Sequence, residues 1–214
     1  MKIGIIGSGI VGQTLALGFE KHGYKVMIGT RIVRKLENWK NESSFHGLIG
    51  NFSETAAFGD ILILAVKGSA AEEALKLSGK ENHADKIVID TTNPIADAPP
   101  ANGVLQFFTG QNESLMERLQ ASFPHLRLVK AFSCIGSAHM VNPDFSEGKP
   151  SMFICGNDEA AKKEVRKILD LFGFLTEDMG KAEAARAIEP LCILWCIPGF
   201  IENRWNHALR MLKN

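Results

Sequence analysis

Apolar residues recur with two different periods along this chain, and the two alternate. Short β-branched runs read as strands buried on both faces: KIGIIG at 2–7, KVMIG at 25–29, DILILAV at 60–66, KIVID at 86–90 and RLVKAF at 127–132. Between them lie helical patterns. Val11, Leu15, Gly18 and Phe19 share one face of a first helix that stops at Gly23, and a second helix is predicted from about Ile32 to Asn41. A weak edge strand follows near Leu48. Ser53, with the acidic Glu54 behind it, is predicted to cap a short helix leading to Asp60.

The second half keeps the rhythm. SMFICG at 151–156 is a further strand, and DEAAKKEVRKILDLFG is an amphipathic helix that turns Val165, Ile168, Leu169 and Phe172 inward and ends at Gly173. A last strand, FLTED, precedes a helical tail from about Ala182. NPIADAPPANG, rich in turn formers just after a strand, reads as a loop over the sheet. No repeat or low-complexity linker interrupts the pattern. The prediction is an α/β fold: a Rossmann-type doubly wound parallel sheet with additional C-terminal strands and helices, one domain over 1–214 with a helical extension from about 182.

Composition narrows the partners. A chain of 214 residues at 45% hydrophobic content can bury a substantial core. Lys plus Arg equals Asp plus Glu at 24 each, so no global field draws it to nucleic acid or acidic lipid, and a small-molecule substrate is the expected partner. The apolar run Leu191–Ile201 is too short to span a bilayer and is broken by Pro198 and Gly199, so no membrane is expected. MKIGIIGSG enters a strand without the succession of a signal peptide, which predicts a cytoplasmic protein. The Asn-x-Ser triplets at Asn41, Asn51 and Asn112 then carry no glycosylation meaning. Cys134, Cys155, Cys192 and Cys196 show neither CxxC spacing nor a paired His motif, so they read as small core hydrophobes rather than a disulfide or metal set.

GSGIVG, from Gly7 through Ser8, Gly9, Ile10 and Val11 to Gly12, stands between a predicted strand and a predicted helix. Gly7 permits a tight turn, Gly9 a close approach to a pyrophosphate, and Gly12 close packing of helix on strand; the helix start offers amides to the phosphates. A glycine-rich structural turn is the alternative. An NAD enzyme would carry a carboxylate at the end of the second strand for the ribose hydroxyls. Here Gly29, Thr30 and Arg31 stand in its place, with Arg34 and Lys35 a turn later, and a 2′-phosphate would be met by a hydroxyl and cations. The cofactor predicted is NADP, unless Arg31 and Arg34 are only solvated charges at a helix start.

GSGIVG, IGTR, DTTNP, LVKAFSCIGSAHM and GFLTEDMG occur in the order and spacing of one family. The chain resembles the NADP reductases that use the deazaflavin coenzyme F420, and also the cytoplasmic reductase domain of the STEAP metalloreductases, notably in NPIAD and SFPHLRLVKAFSCIGS. The resemblance covers nearly the whole chain. It implies hydride transfer between NADP and a deazaflavin (F420) or flavin in an adjoining cleft. It implies that Gly7 to Gly12 hold the pyrophosphate, that Thr30, Arg31 and Arg34 hold the 2′-phosphate, and that Val66 and Lys67 line the ribose side. Asn93 and Pro94 would sit near the nicotinamide, with Ala131, Phe132 and Ser133 meeting its carboxamide through backbone groups. Two departures stand out. Cys134 lies where the family pattern leads one to expect a residue such as Asn or His, and the sequence runs only to Asn214 where the membrane reductases continue into haem-holding helices, so no transmembrane electron transfer is expected.

In doubly wound sheets the ligand lies beyond the C-terminal strand ends, here Val66-Lys67, Asp90 to Pro94 and Ala131 to Cys134. Transfer of hydride between two rings needs alignment more than an acid or base. His139 is the candidate proton donor or contact to the second substrate, or else a surface or capping histidine. Cys134 is a candidate redox thiol, with packing as the alternative. Asp90 and Asn93 also suit turn positions at a strand end. The tail, with Glu189, Trp195, Phe200 and Trp205, reads as a helix packed on the domain, a pocket wall, or the interface of a homodimer. Two other functions stay open: an NADP dehydrogenase or imine reductase of a small organic substrate, and a non-catalytic NADP sensor.

Overall fold

The computed structural model describes residues 1–213; Asn214 lies outside them. Six parallel strands form the main sheet: β1 (Lys2–Ile6), β2 (Lys25–Gly29), β3 (Leu48–Gly50), β4 (Ile61–Leu64), β5 (Ile87–Asp90) and β6 (Arg127–Lys130). Their order is β3-β2-β1-β4-β5-β6, the doubly wound arrangement, with the strand order reversing at β1. The register places Ile5 beside Ile28 on one side and Ile63 on the other.

The pleat sorts these strands between two cores. Ile3, Ile5, Ile61, Ile63, Ile87 and Ile89 face one layer, where α1 (Ile10–Lys21) and α7 (Glu159–Leu171) pack. Ile6, Leu62, Leu64, Val88 and Leu128 face the other, against α3 (Phe52–Phe58), α4 (Ala71–Ser78) and α6 (Leu115–Ser122). Burial on both faces is why the strands are apolar throughout rather than alternating. α5 (Lys80–His83) completes this side. The helices at 71–83 and 115–122 carry no prediction above, their apolar positions being sparse.

Two boundaries move. α2 spans Arg34–Glu42 and begins two residues later than Ile32, with Val33 as its cap position. α3 is capped by Asn51, not Ser53: the Asn51 side chain accepts from the Glu54 amide at 2.9 Å, and the Glu54 carboxylate accepts from the Asn51 amide at 2.8 Å. This reciprocal capping box puts the helix start at Phe52.

Beyond β6 the chain adds β7 (Ser151–Ile154) and β8 (Leu175–Asp178), a parallel pair joined through α7. A single antiparallel bridge, Lys130 to Cys155, joins this pair to the main sheet, with the Lys130 amide donating to the Cys155 carbonyl at 2.9 Å. The tail holds α8 (Ala185–Ile188) and α9 (Leu191–Glu202) and then leaves the helix at Asn203, in the left-handed region at φ 53°. Residues 203–213 run back as irregular chain, where the Ser151 amide donates to the Leu209 carbonyl at 2.9 Å.

Ala182–Glu202 is 21 residues, and an 18-residue window within it has a mean hydropathy of 1.5, long and apolar enough by length and composition to cross a membrane; counting only Leu191–Ile201 understated it. The stretch is nevertheless composite. Pro190 separates α8 from α9, and the buried carboxylate of Glu189 is bound to α6.

Candidate active site

The crevice lies where the strand order reverses, beyond the C-terminal ends of β1 and β4. Gly7 has φ 127°, and a Cβ there would overlap the Ala65 carbonyl; a Cβ on Gly12 would overlap the Gly7 carbonyl. A Cβ on Gly9 would meet nothing within 4 Å, so at that glycine the backbone itself borders open space. Gly9 is also the cap position of α1, and no side chain bonds there, which leaves first-turn amides free for an anion. Ser8, Gly9, Ile10 and Val11 all line the crevice.

At one end is a hollow of about 380 Å³. Thr30 is buried there, and its Oγ1 accepts from Ser8 Oγ at 3.0 Å and from the Ile32 amide at 3.2 Å. Arg31 and Lys35 line the hollow, and Glu73, Ala74 and Leu77 of α4 face them. Arg34 does not line it and is exposed, so the second cation at this end is Lys35. Consecutive helical residues point about 100° apart, so α2 turns Lys35 rather than Arg34 to the crevice. Neither Arg31 nor Lys35 forms an ion pair among the described residues.

The other end is a largely apolar cleft of about 730 Å³, walled by Ile10, Val11, Val66, Thr91–Asn93 and the loop 95–99. Lys67 and Asp97 stand 3.5 Å apart across two of its loops, both highly exposed, a pairing that contributes little in water. Asn93 Nδ2 donates to the Ser133 carbonyl at 2.8 Å, while Asn93 Oδ1 and Ser133 Oγ are buried without a partner. Pro94 and Ala131 are buried behind the wall rather than lining the cleft. Phe132 adopts φ 61° and donates its amide to Met152 sulfur at 3.1 Å, so that this backbone group faces the core.

Neither candidate for chemistry reaches the cleft. The His139 ring packs on Phe145 with centroids 4.8 Å apart and is not among the lining residues. Cys134 is buried, and burial raises its pKa to about 11, which keeps it a thiol at neutral pH.

Sequence reasoning missed the charged cluster beneath the cleft. Lys130, fully buried, lies 2.7 Å from Asp90 and 2.9 Å from Glu189. Burial pulls its pKa down, but the Asp90 and Glu189 charges outweigh burial and leave it raised. Glu189 also accepts from the Leu115 and Met116 amides at 3.0 Å each, at the positive end of α6. A signal was present in the acid that ends KIVID and the lysine inside RLVKAF, charges that directly follow the apolar cores of two adjacent strands, IVI and LV.

Fold and crevice together define a Rossmann-type oxidoreductase that uses a dinucleotide. Residues 2–94 match the model of the family described as NADP oxidoreductase, coenzyme F420-dependent. The F420-dependent NADP reductase of Methanocaldococcus jannaschii is 30% identical over 203 residues, covering 89% of each chain. A solved structure from Arthrobacter sp. FB24, named as a candidate F420-dependent NADP reductase, superposes with a TM-score of 0.92 at 30% identity over the whole of both chains. The chain belongs to this family of NADP-dependent oxidoreductases. It is also similar to metalloreductase STEAP3 of Rattus norvegicus, at 28% identity over 92% of this chain, but spans only 38% of that protein's length.

Proposed function

We propose that this enzyme holds NADP(H) along the crevice and exchanges hydride with a deazaflavin or flavin ring seated in the apolar cleft beside it. The carrying observation is the cleft itself. At about 730 Å³ it lies in the upper part of the range for small-molecule sites, roughly 300–1,000 Å³. It is continuous with the smaller hollow through Gly9, Val66 and Lys67.

The residues fit the cofactor. Thr30, Arg31 and Lys35 would take the 2′-phosphate, and the amides after Gly9 the pyrophosphate. Thr92 and Asn93 would border the nicotinamide, with the unpartnered Asn93 Oδ1 suited to a carboxamide. When bound, NADPH supplies the hydride. The protein's work is then to align two rings and exclude water, which apolar walls from Ile10, Val11 and Ile95 do without an acid or base. Lys67, on which a carbonyl or imine reductase reading would rely, is solvated and turned to Asp97 at 3.5 Å rather than held in the apolar cleft.

The test is an acceptor panel of coenzyme F420, FMN, FAD and ferric chelates with NADPH or NADH. The expected result is rapid transfer to F420 or a flavin with NADPH preferred. Tight NADPH binding with no transfer to either class overturns the reading and points to a sensor.

A further inference from the structure

We infer that Asp90, Lys130 and Glu189 act as a positioning device for the nicotinamide half of the crevice, through which the C-terminal tail sets the geometry of hydride transfer. This rests on the cofactor placement proposed above.

The bonds of the cluster converge on one residue of the cleft wall. Asp90 Oδ1 accepts from the Thr92 amide at 2.9 Å and from the Thr92 hydroxyl at 2.7 Å. Lys130 Nζ donates to the Thr92 carbonyl at 2.8 Å. Every polar group of Thr92 is therefore held by the cluster, and Thr92 lines the cleft. The neighbours are fixed as well. Thr91 Oγ1 donates to the Leu64 carbonyl at 3.0 Å, Asn93 is tied to Ser133, and a Cβ on Gly68 would overlap the Asn93 carbonyl.

Glu189 brings the tail into this set. It is the second carboxylate on Lys130, at 2.9 Å, and anchors on two α6 amides, so α8, α6 and the cleft wall share one buried ionic centre. Three charges removed from water are a poor way to stabilise a fold, since apolar residues of like volume do as well. Such a cluster does supply a directional constraint, and this one is directed at the wall where the ring must lie flat.

The tail has a second tie to the same helix, which serves as a control: Arg186 pairs with Glu117 at 2.6 Å on the surface and touches nothing in the cleft. The experiment compares full-length Glu189→Gln, Asp90→Asn and Arg186→Gln by equilibrium binding of 2′,5′-ADP and of NADPH, by bound-NADPH fluorescence, and by single-turnover transfer with 4R- and 4S-deuterated NADPH. In the cluster variants, affinity for 2′,5′-ADP should stay within about twofold, as expected of a distant site. Transfer should slow by about tenfold or more and lose selectivity between the two deuterated forms, as displaced rings do. The fluorescence of bound NADPH should move toward that of free cofactor. Arg186→Gln should match wild type throughout.

Cluster variants that fold and keep wild-type NADPH fluorescence, rate and face selectivity overturn the inference. So does a proportional loss of 2′,5′-ADP and NADPH binding, which would mark a general role in folding. Should Glu189→Gln and Asp90→Asn not fold, Thr92→Val removes only the hydroxyl bond to Asp90, and it must show the same split at about threefold or the inference fails. A wild-type protein that binds 2′,5′-ADP but shows no change in nicotinamide fluorescence would instead overturn the cofactor placement.

Discussion

The two ends of the crevice are built in opposite ways. At the end proposed for the 2′-phosphate the charges are exposed side chains, Arg31 and Lys35, without ion-pair partners among the described residues and able to adjust to a ligand. At the end proposed for the nicotinamide the charges are buried, paired and spent on the protein's own backbone, and the wall they hold is fixed beside a largely apolar cleft. The difference follows from what each end must do. A phosphate is recognised by charge, which reaches several ångströms and tolerates movement; hydride passes only between rings held close and aligned.

The largest effect should come from breaking the fixed end. Lys130→Met leaves Asp90 and Glu189 buried without their cation, at a cost of about 3–5 kcal/mol. Urea unfolding should show this as a lower midpoint, and an unchanged midpoint would mean that the cluster is not ionised in the folded protein. Next in size is Arg31→Ala at the adjustable end. Loss of a charge-assisted contact of about 1.5–3 kcal/mol should raise the NADPH dissociation constant roughly tenfold to a hundredfold and leave NADH little changed. Equal losses for both cofactors would move the 2′-phosphate elsewhere.

A smaller difference separates two adjacent cations. Lys35→Ala should weaken NADPH by about threefold and reduce the salt dependence of binding, whereas Arg34→Ala should alter neither. The reverse order would mean that α2 is wound one residue out of phase.

The least effect lies at the N-terminal end of β6, the other end of the strand from Lys130. Hydrogen bonds from Arg127, helped by the Ala161 amide, hold the Asp158 carboxyl at about 2. Its folded pKa is depressed below the unfolded value of about 3.9, so its contribution is present above that value and disappears as pH falls through about 2. Asp158→Asn should therefore flatten the stability profile between these pH values while leaving NADPH affinity at neutral pH as it was. A shift in cofactor affinity would show that the two ends of β6 are coupled.

The parts legible in the chain were those whose physics is local. GSGIVG announced its turn because the backbone at Gly7 and Gly12 leaves no room for a Cβ. The capping of α3 was legible too, since Asn51 precedes Glu54 by the three residues of a capping box, but Ser53 drew the reading to the wrong polar residue. His139 and Cys134 looked available because both follow a strand end; packing against Phe145 and burial in the core removed them. Arg34 was grouped with Arg31 and Lys35 as a cation for the 2′-phosphate because the three lie close in sequence, but successive helical residues point about 100° apart, and of these three Arg31 and Lys35 line the hollow.

By itself, the sequence determined the alternation of buried strands and helices, the phosphate loop, and a second strand ending in Thr30 rather than a carboxylate. All three rest on short-range rules of periodicity and backbone sterics. Only the tertiary structure decided that Asp90, Lys130 and Glu189 meet, and that they meet on Thr92. Their pairing is set by which strand lies beside which and by where the tail returns, and a buried charge finds its partner through topology rather than through spacing along the chain.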